Sequence, residues 1–358
     1  MIGGWIGPLR APVVVALLIL PACGGESGVS AGLPPRLERL RVDTLFAIGA
    51  QSGEPWETFG GIWDVATAPD GRFAVLDVDA VAVHLFDGAG APLGSIADQG
   101  LDPGTLRSPT GIAWNGGDEL RVWDPGSSWI SRFSVGPSGA EFVDRHRAFA
   151  FGETGFCTSE GRVFLSYFQD GQVIHEIGGD GAIVRSFSPA PDVAGMETLV
   201  LELQELALEE LTPSKLLCVS GGVLEASYFQ SRIQFHDTEG RLVWSRELAD
   251  FTPVLAYSPD DMGVGLQYAE GDGSHLLRSV VPWGDGRALL QHELRVEGSR
   301  PDGAADPIES RLIRLEDGAE EARTRSLPLI LGTRGNRVFE VRQRPVPQVL
   351  VLEVTGDG

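Results

Sequence analysis

Few residues in this sequence are grouped in a way that signals chemistry. Cys157 and Cys218 each open the same pattern, Cys-x-Ser-x-Gly and then, four residues on, Ser-Tyr-Phe-Gln, at 157–169 and 218–230. Two cysteines matched in this way offer a disulfide in an oxidising compartment or, equally, two buried free thiols. The six histidines are scattered. His84, His175 and His236 fall in short apolar runs with no partner at ligand spacing, so they read as exposed or half-buried strand residues and not as metal ligands. Asp77-Val78-Asp79 offers two carboxylates that calcium would accept, but aspartates two apart are common in loops without an ion. The motifs His-Glu-x-x-His, Gly-x-Ser-x-Gly, the Walker loop and paired Cys-x-x-Cys are absent, so zinc-hydrolase, serine-hydrolase and nucleotide chemistry lack their usual residues. Of 28 basic residues only Lys215 is a lysine, which argues against lysine-centred covalent catalysis. On these grounds neither a metal nor a cofactor is expected, and no catalytic residue is assigned.

The matched segments identify the elements that must carry these residues. A pattern repeated residue for residue marks a repeat architecture. In that register four weaker copies appear, each a turn dipeptide before a short apolar run: Asp70-Gly71 before Phe73 to Asp77, Gly117-Asp118 before Leu120 to Asp124, Asp285-Gly286 before Ala288 to His292, and Gly335-Asn336 before Val338 to Arg342. Such dipeptides supply the positive φ that tight hairpins need. A second hairpin follows in most copies, and four strands per copy is the blade of a β-propeller. Turn positions 71, 118, 161, 222, 286 and 335 are 47, 43, 61, 64 and 49 residues apart. The two long intervals hold insertions: 195–211, leucines among glutamates, predicts a helix, and Phe251 to Ser274, rich in Gly, Asp and Pro, predicts a loop. The last copy is one strand short. Leu40 to Ile48 precedes the first copy and can supply it, which closes an all-β, six-bladed propeller of four-stranded antiparallel blades over 36–357.

The N-terminal residues read as targeting. Arg10 precedes the apolar run Ala11 to Leu20, too short to span a bilayer and right for the core of a signal peptide. Leu20-Pro21-Ala22-Cys23 follows and resembles the lipobox of bacterial lipoproteins, which implies a signal peptide over 1–22 and lipidation of Cys23. The absence of aspartate after the cysteine implies sorting to the outer membrane, and residues 23–35 read as a flexible tether. Net charge is −22, and without residues 1–22, whose only charge is Arg10, 27 bases stand against 50 acids. A field of that sign repels phosphate backbones, so nucleic acid is not an expected partner.

Gly100-Leu101-Asp102-Pro103-Gly104 followed by Ser108-Pro109-Thr110-Gly111-Ile112-Ala113 resembles the blade junction of NHL-type propellers. Over residues 36–357 the chain resembles bacterial six-bladed propeller lipoproteins with NHL-like repeats, which implies fold more than activity. Trp63, Trp114, Trp123 and Trp283 then fall at blade-core positions and Trp129 in a connection. Propeller ligands gather where second strands end, near the channel mouth. In register those ends are Asp77, Asp124, Tyr167, Tyr228, His292 and Arg342, a polar ring predicted to be solvated and to bind a zwitterionic or peptide-like ligand. Register also sets Cys157 and Cys218 on adjacent inner strands. The aligned inner-strand positions Thr67, Trp114, Cys157, Cys218, Pro282 and Gly332 offer no set of hard metal ligands. The expected function is therefore a monomeric, membrane-anchored binding or scaffold module for a protein, peptide or glycan. The alternative is a propeller enzyme, a metal-dependent lactonase, hydrolase or lyase working at the channel.

Overall fold

A computed structural model describes residues 37, 40–150, 155–192, 201–257, 266–268, 273–295 and 306–356. The expected signal peptide over 1–22, Cys23 and the expected tether over 23–35 lie outside them. Six four-stranded antiparallel sheets form the blades. From the axis outward, blade 1 runs Ile62–Thr67, Phe73–Asp77, Ala82–Phe86, Pro92–Ile96, and blade 2 Gly111–Trp114, Glu119–Asp124, Trp129–Gly136, Gly139–Arg147. Blade 3 is Gly155–Ser159, Arg162–Gln169, Gln172–Ile177, Ile183–Pro189, and blade 4 Ser214–Val219, Gly222–Ser227, Arg232–Asp237, Leu242–Glu247. Blade 5 is Ser274–Pro282, Arg287–Arg295, Ile308–Arg314, Glu320–Thr324. Blade 6 is Ile330–Arg334, Arg337–Arg342, Gln348–Gly356 and, outermost, Leu40–Ile48.

Each innermost strand packs against the next, and that of blade 6 against that of blade 1, so the ring is closed. The core is divided among the blade interfaces: six apolar clusters of buried residues each join two neighbouring blades. This follows from the alternation of strand side chains, which sends successive residues of one strand to opposite neighbours. The cluster between blades 3 and 4 is the smallest, and there a disulfide joins Cys157 to Cys218, with Cα atoms 5.6 Å apart.

The N-terminal strand pairs with the final one from Leu40 opposite Gly356 to Ile48 opposite Val349, with an irregularity near Leu45. Phe46 and Ile48 pack on the blade 6–blade 1 cluster, while Val42 and Leu45 stay exposed because nothing lies beyond an outermost strand. The helix is Leu201–Leu211. It is the single helix among the described residues, and no helix there is long and apolar enough to cross a membrane.

Three local expectations change. The insertion predicted as a loop carries a two-stranded ladder, Leu255–Tyr257 with Leu266–Tyr268, in which Leu and Tyr at each end pair across the Gly- and Asp-rich stretch. At the blade 2 turn both Gly116 and Gly117 have positive φ, and in blade 4 Gly221 does, one residue before the turn position 222. Gly222 is instead the first residue of a strand, where an added Cβ would meet the His236 carbonyl oxygen. Finally, His84, His175 and His236 are fully buried, not half-exposed, because third strands are covered by blades on both faces.

Candidate functional site

Two connected cavities occupy the axis. The smaller, ≈ 70 Å³, is lined by residues from or at the start of all six innermost strands, among them Asp64, Thr110, Gly155, Lys215, Arg278 and Leu331. The larger, ≈ 390 Å³, opens between blades 4, 5, 6 and 1 and adds Phe229, Glu293, Arg295 and Asp306. Trp63, Lys215, Tyr228, Arg278 and Leu331 line both and form the throat between them. The volume of the outer chamber lies in the range of small-molecule pockets, and its mix of aromatic walls with a few convergent charges is what such pockets use.

Strand alternation accounts for Lys215. In the inner strand of blade 4, Leu216 packs towards blade 3 and Leu217 and Val219 towards blade 5. Lys215, near the start of that strand, shares their parity but lies beyond their cluster, at the axis. Its cross-strand partner is the small Ala226. The ammonium sits 5.7 Å from the centre of the Tyr228 ring, a favourable cation–π distance. Burial pushes the Lys215 amine down, but Tyr228 and the field of Asp64 outweigh it, and the net shift is upward. Burial raises the Asp64 carboxyl, against the pull of Lys215 and a 2.8 Å hydrogen bond from the Val65 N–H. Both side chains are surrounded by protein yet partly reached by solvent, because they line a channel. Arg278 faces Glu293 at 3.4 Å.

The six residues of the predicted ring are not brought together. Tyr228 alone lines the axial cavities. Asp77 and Asp124 are buried, and each carboxylate is taken up by nearby backbone: Asp77 accepts from Gly60 N (2.7 Å) and Gly61 N (2.9 Å) of the loop entering its blade and from Ala80 N (3.1 Å) of the turn that follows it, Asp124 from Arg107 N (2.7 Å) and Ser108 N (2.9 Å) of its entering loop. Tyr167 turns into the interface with blade 2, its ring 4.2 Å from His175, and burial with the nearby Asp170 pushes its hydroxyl up to about 12. His292 is buried beside Phe251 and His275, and desolvation, with Arg311 and His275, pushes it down to about 3. Arg342 is exposed and pairs with Glu340. The expected solvated ring is thus corrected to three fully buried groups, two tyrosines facing opposite ways and one surface arginine. Second strands lie one layer out from the axis, so their ends are covered by the connections that run past them.

Trp63, Asp64, Lys215 and Arg278 were not singled out as a site from sequence. The inner-strand positions compared there lie near the turn end of each strand, whereas the cavity is lined by the opposite ends. The available signal was Lys215 itself, the sole lysine, placed on an inner strand beside a repeat cysteine. Trp123 and Trp283 are core, and Trp129 lies under Arg145 and Arg147, at 4.2 and 5.2 Å. Among the described residues no group of three or more His, Cys, Asp or Glu is arranged to hold a metal ion.

No protein-family description matches the sequence, and no curated protein is similar to it. Solved structures do resemble it. A Bacteroides fragilis protein named as exported aligns with TM-score 0.58 at 8% identity, over 89% of this chain and 96% of its own. A Bacteroides vulgatus member of the DUF4221 family gives 0.55 at 7%, over 88% and 98%. Raptor of Chaetomium thermophilum gives 0.52 at 12%, over 92% of this chain but 29% of its own. At such identities the likeness is one of fold.

Proposed function

We propose that this chain is an extracytoplasmic binding protein, held at the outer membrane by a lipid on Cys23 and acting as a monomer, that takes a small peptide-like ligand in the axial cavity. The observation that carries the reading is the outer chamber: ≈ 390 Å³, with Trp63, Tyr228 and Phe229 as apolar surface and both signs of charge on its walls. Aromatic walls supply contact area at low entropic cost, and fixed charges of both signs suit a zwitterion. The targeting motif ending at Cys23 and the exported relative of the same fold support an extracytoplasmic site of action. A strongly acidic exterior disfavours nucleic acid.

The test is equilibrium dialysis of the full chain in detergent against a mixed dipeptide library, beside the Trp63→Ala variant. The wild type is expected to retain a subset of dipeptides and the variant to hold them at least about tenfold more weakly, the loss of one buried aromatic anchor. Equal retention by the two proteins would remove the cavity as the site.

A further inference from the structure

The charges of the axial cavity are not mixed at random along its length. The inner chamber and throat carry Lys215 and Arg278 against the single carboxylate Asp64, whereas the groups confined to the outer chamber are Glu293 and Asp306 against Arg295. Arg278 and Glu293 pair across the boundary at 3.4 Å, so the cation left at the throat is Lys215, inside a protein whose total is −22. The inner chamber, ≈ 70 Å³, is the narrower of the two and has room for a carboxylate. The Thr110 hydroxyl lines this chamber, buried and without a hydrogen-bond partner among the described residues, and can donate to an oxygen placed there.

We infer that the ligand is a short peptide or amino-acid conjugate with a free carboxylate, which enters carboxylate first and anchors it on Lys215 at the throat. The inference rests on the binding role proposed above and adds the class and direction of the ligand. Lys215 is the anchor because Arg278 is already engaged by Glu293, while the ammonium stands at the junction of the two chambers over the Tyr228 face. A cation on the wall of a narrow channel that meets a carboxylate gives a charge-assisted hydrogen bond, and a ligand lacking the carboxylate forfeits it.

The single lysine makes the test direct, since labelling with 13C-lysine gives one ε-methylene signal from the full chain in detergent. The probes are Ala-Phe, N-acetyl-Ala-Phe and Ala-Phe amide, titrated into the wild type and into Lys215→Met, with melting measured on each. Both acids are expected to bind the wild type at least about tenfold tighter than the amide and to move the Lys215 signal, with the preference gone in Lys215→Met. An amide bound as tightly as the acids, or acids bound with the Lys215 signal unmoved, overturns the inference, and the wild-type signal decides this even if the variant fails to fold. If all three probes bind alike and Trp63→Ala weakens each, the direction of entry falls while the cavity stands. If none binds, both fall.

Discussion

Cys157 and Cys218 are equivalent in the sequence repeat but one residue out of step in their hairpins, and that offset lets them meet. Cys157 lies two residues before the closing pair of its turn, Ser159 with Arg162, and Cys218 one residue before Val219 with Gly222. In identical register both side chains would face the same way around the ring. The single-residue slip turns Cys218 back towards blade 3, where it joins Cys157 across the smallest apolar interface. Replacing both by serine should lower unfolding free energy by about 2–4 kcal/mol, the usual worth of a bridge closing a loop of this order. Urea unfolding of the double variant against the oxidised wild type measures it, and equal midpoints would show the bridge to be dispensable.

The outermost strand of blade 6 should be indispensable to closure. A chain beginning at residue 36 is expected to melt as the mature protein does. One beginning at residue 51 lacks Leu40–Ile48, leaves Gln348–Gly356 as an unpaired edge, and should aggregate or unfold without cooperativity. Matching melting curves for the two truncations would refute closure by this strand.

Asp77 should behave as a structural residue. Its buried carboxylate accepts three backbone N–H groups, and Asp77→Ala strands them, at about 1–3 kcal/mol for each donor left without a partner. A loss of about 3 kcal/mol or more on chemical unfolding is expected, whereas Arg342→Ala, at an exposed site, should change stability by under about 0.5 kcal/mol. Similar small effects for both would return Asp77 to the candidate ligand-binding residues.

Stability should fall on mild acidification because of His292. Its folded-state pKa is depressed to about 3, by burial first and then by Arg311 and His275, with Glu309 opposing. Below the unfolded histidine value of about 6.5 the unfolded chain takes up a proton that the native site refuses, so stability is lost as pH drops from there towards 3. The slope for one such group is about 1.4 kcal/mol per pH unit. Urea unfolding at pH 7, 6 and 5 should show a shallower dependence in His292→Gln than in the wild type. Identical slopes would mean that the site accepts the proton.

Cys23→Ser should release the propeller from the membrane fraction of its host, since no other anchor is proposed. Continued sedimentation with membranes would place the anchor elsewhere.

What the sequence by itself determined is the part of the fold that local rules write. Gly71, Gly161, Gly286 and Gly335 mark turns because positive φ is a property of the residue and its neighbours, and the apolar runs after them alternate because a strand has two faces. Six such copies and one missing strand lead to the closed ring, and Leu40–Ile48 is where they place its last element. What only the tertiary structure decided is which polar side chains face the axis. Tyr167 and Tyr228 share a motif, yet Tyr167 lies five residues past its turn-closing Arg162 and Tyr228 six past Gly222, so one packs against blade 2 and the other reaches the channel. Asp77 and Lys215 are each a lone charge in an apolar run. The first is consumed by the amides of its own loop and the second left at the throat, because those outcomes depend on connections and inner strands that meet only when all six blades close around one axis.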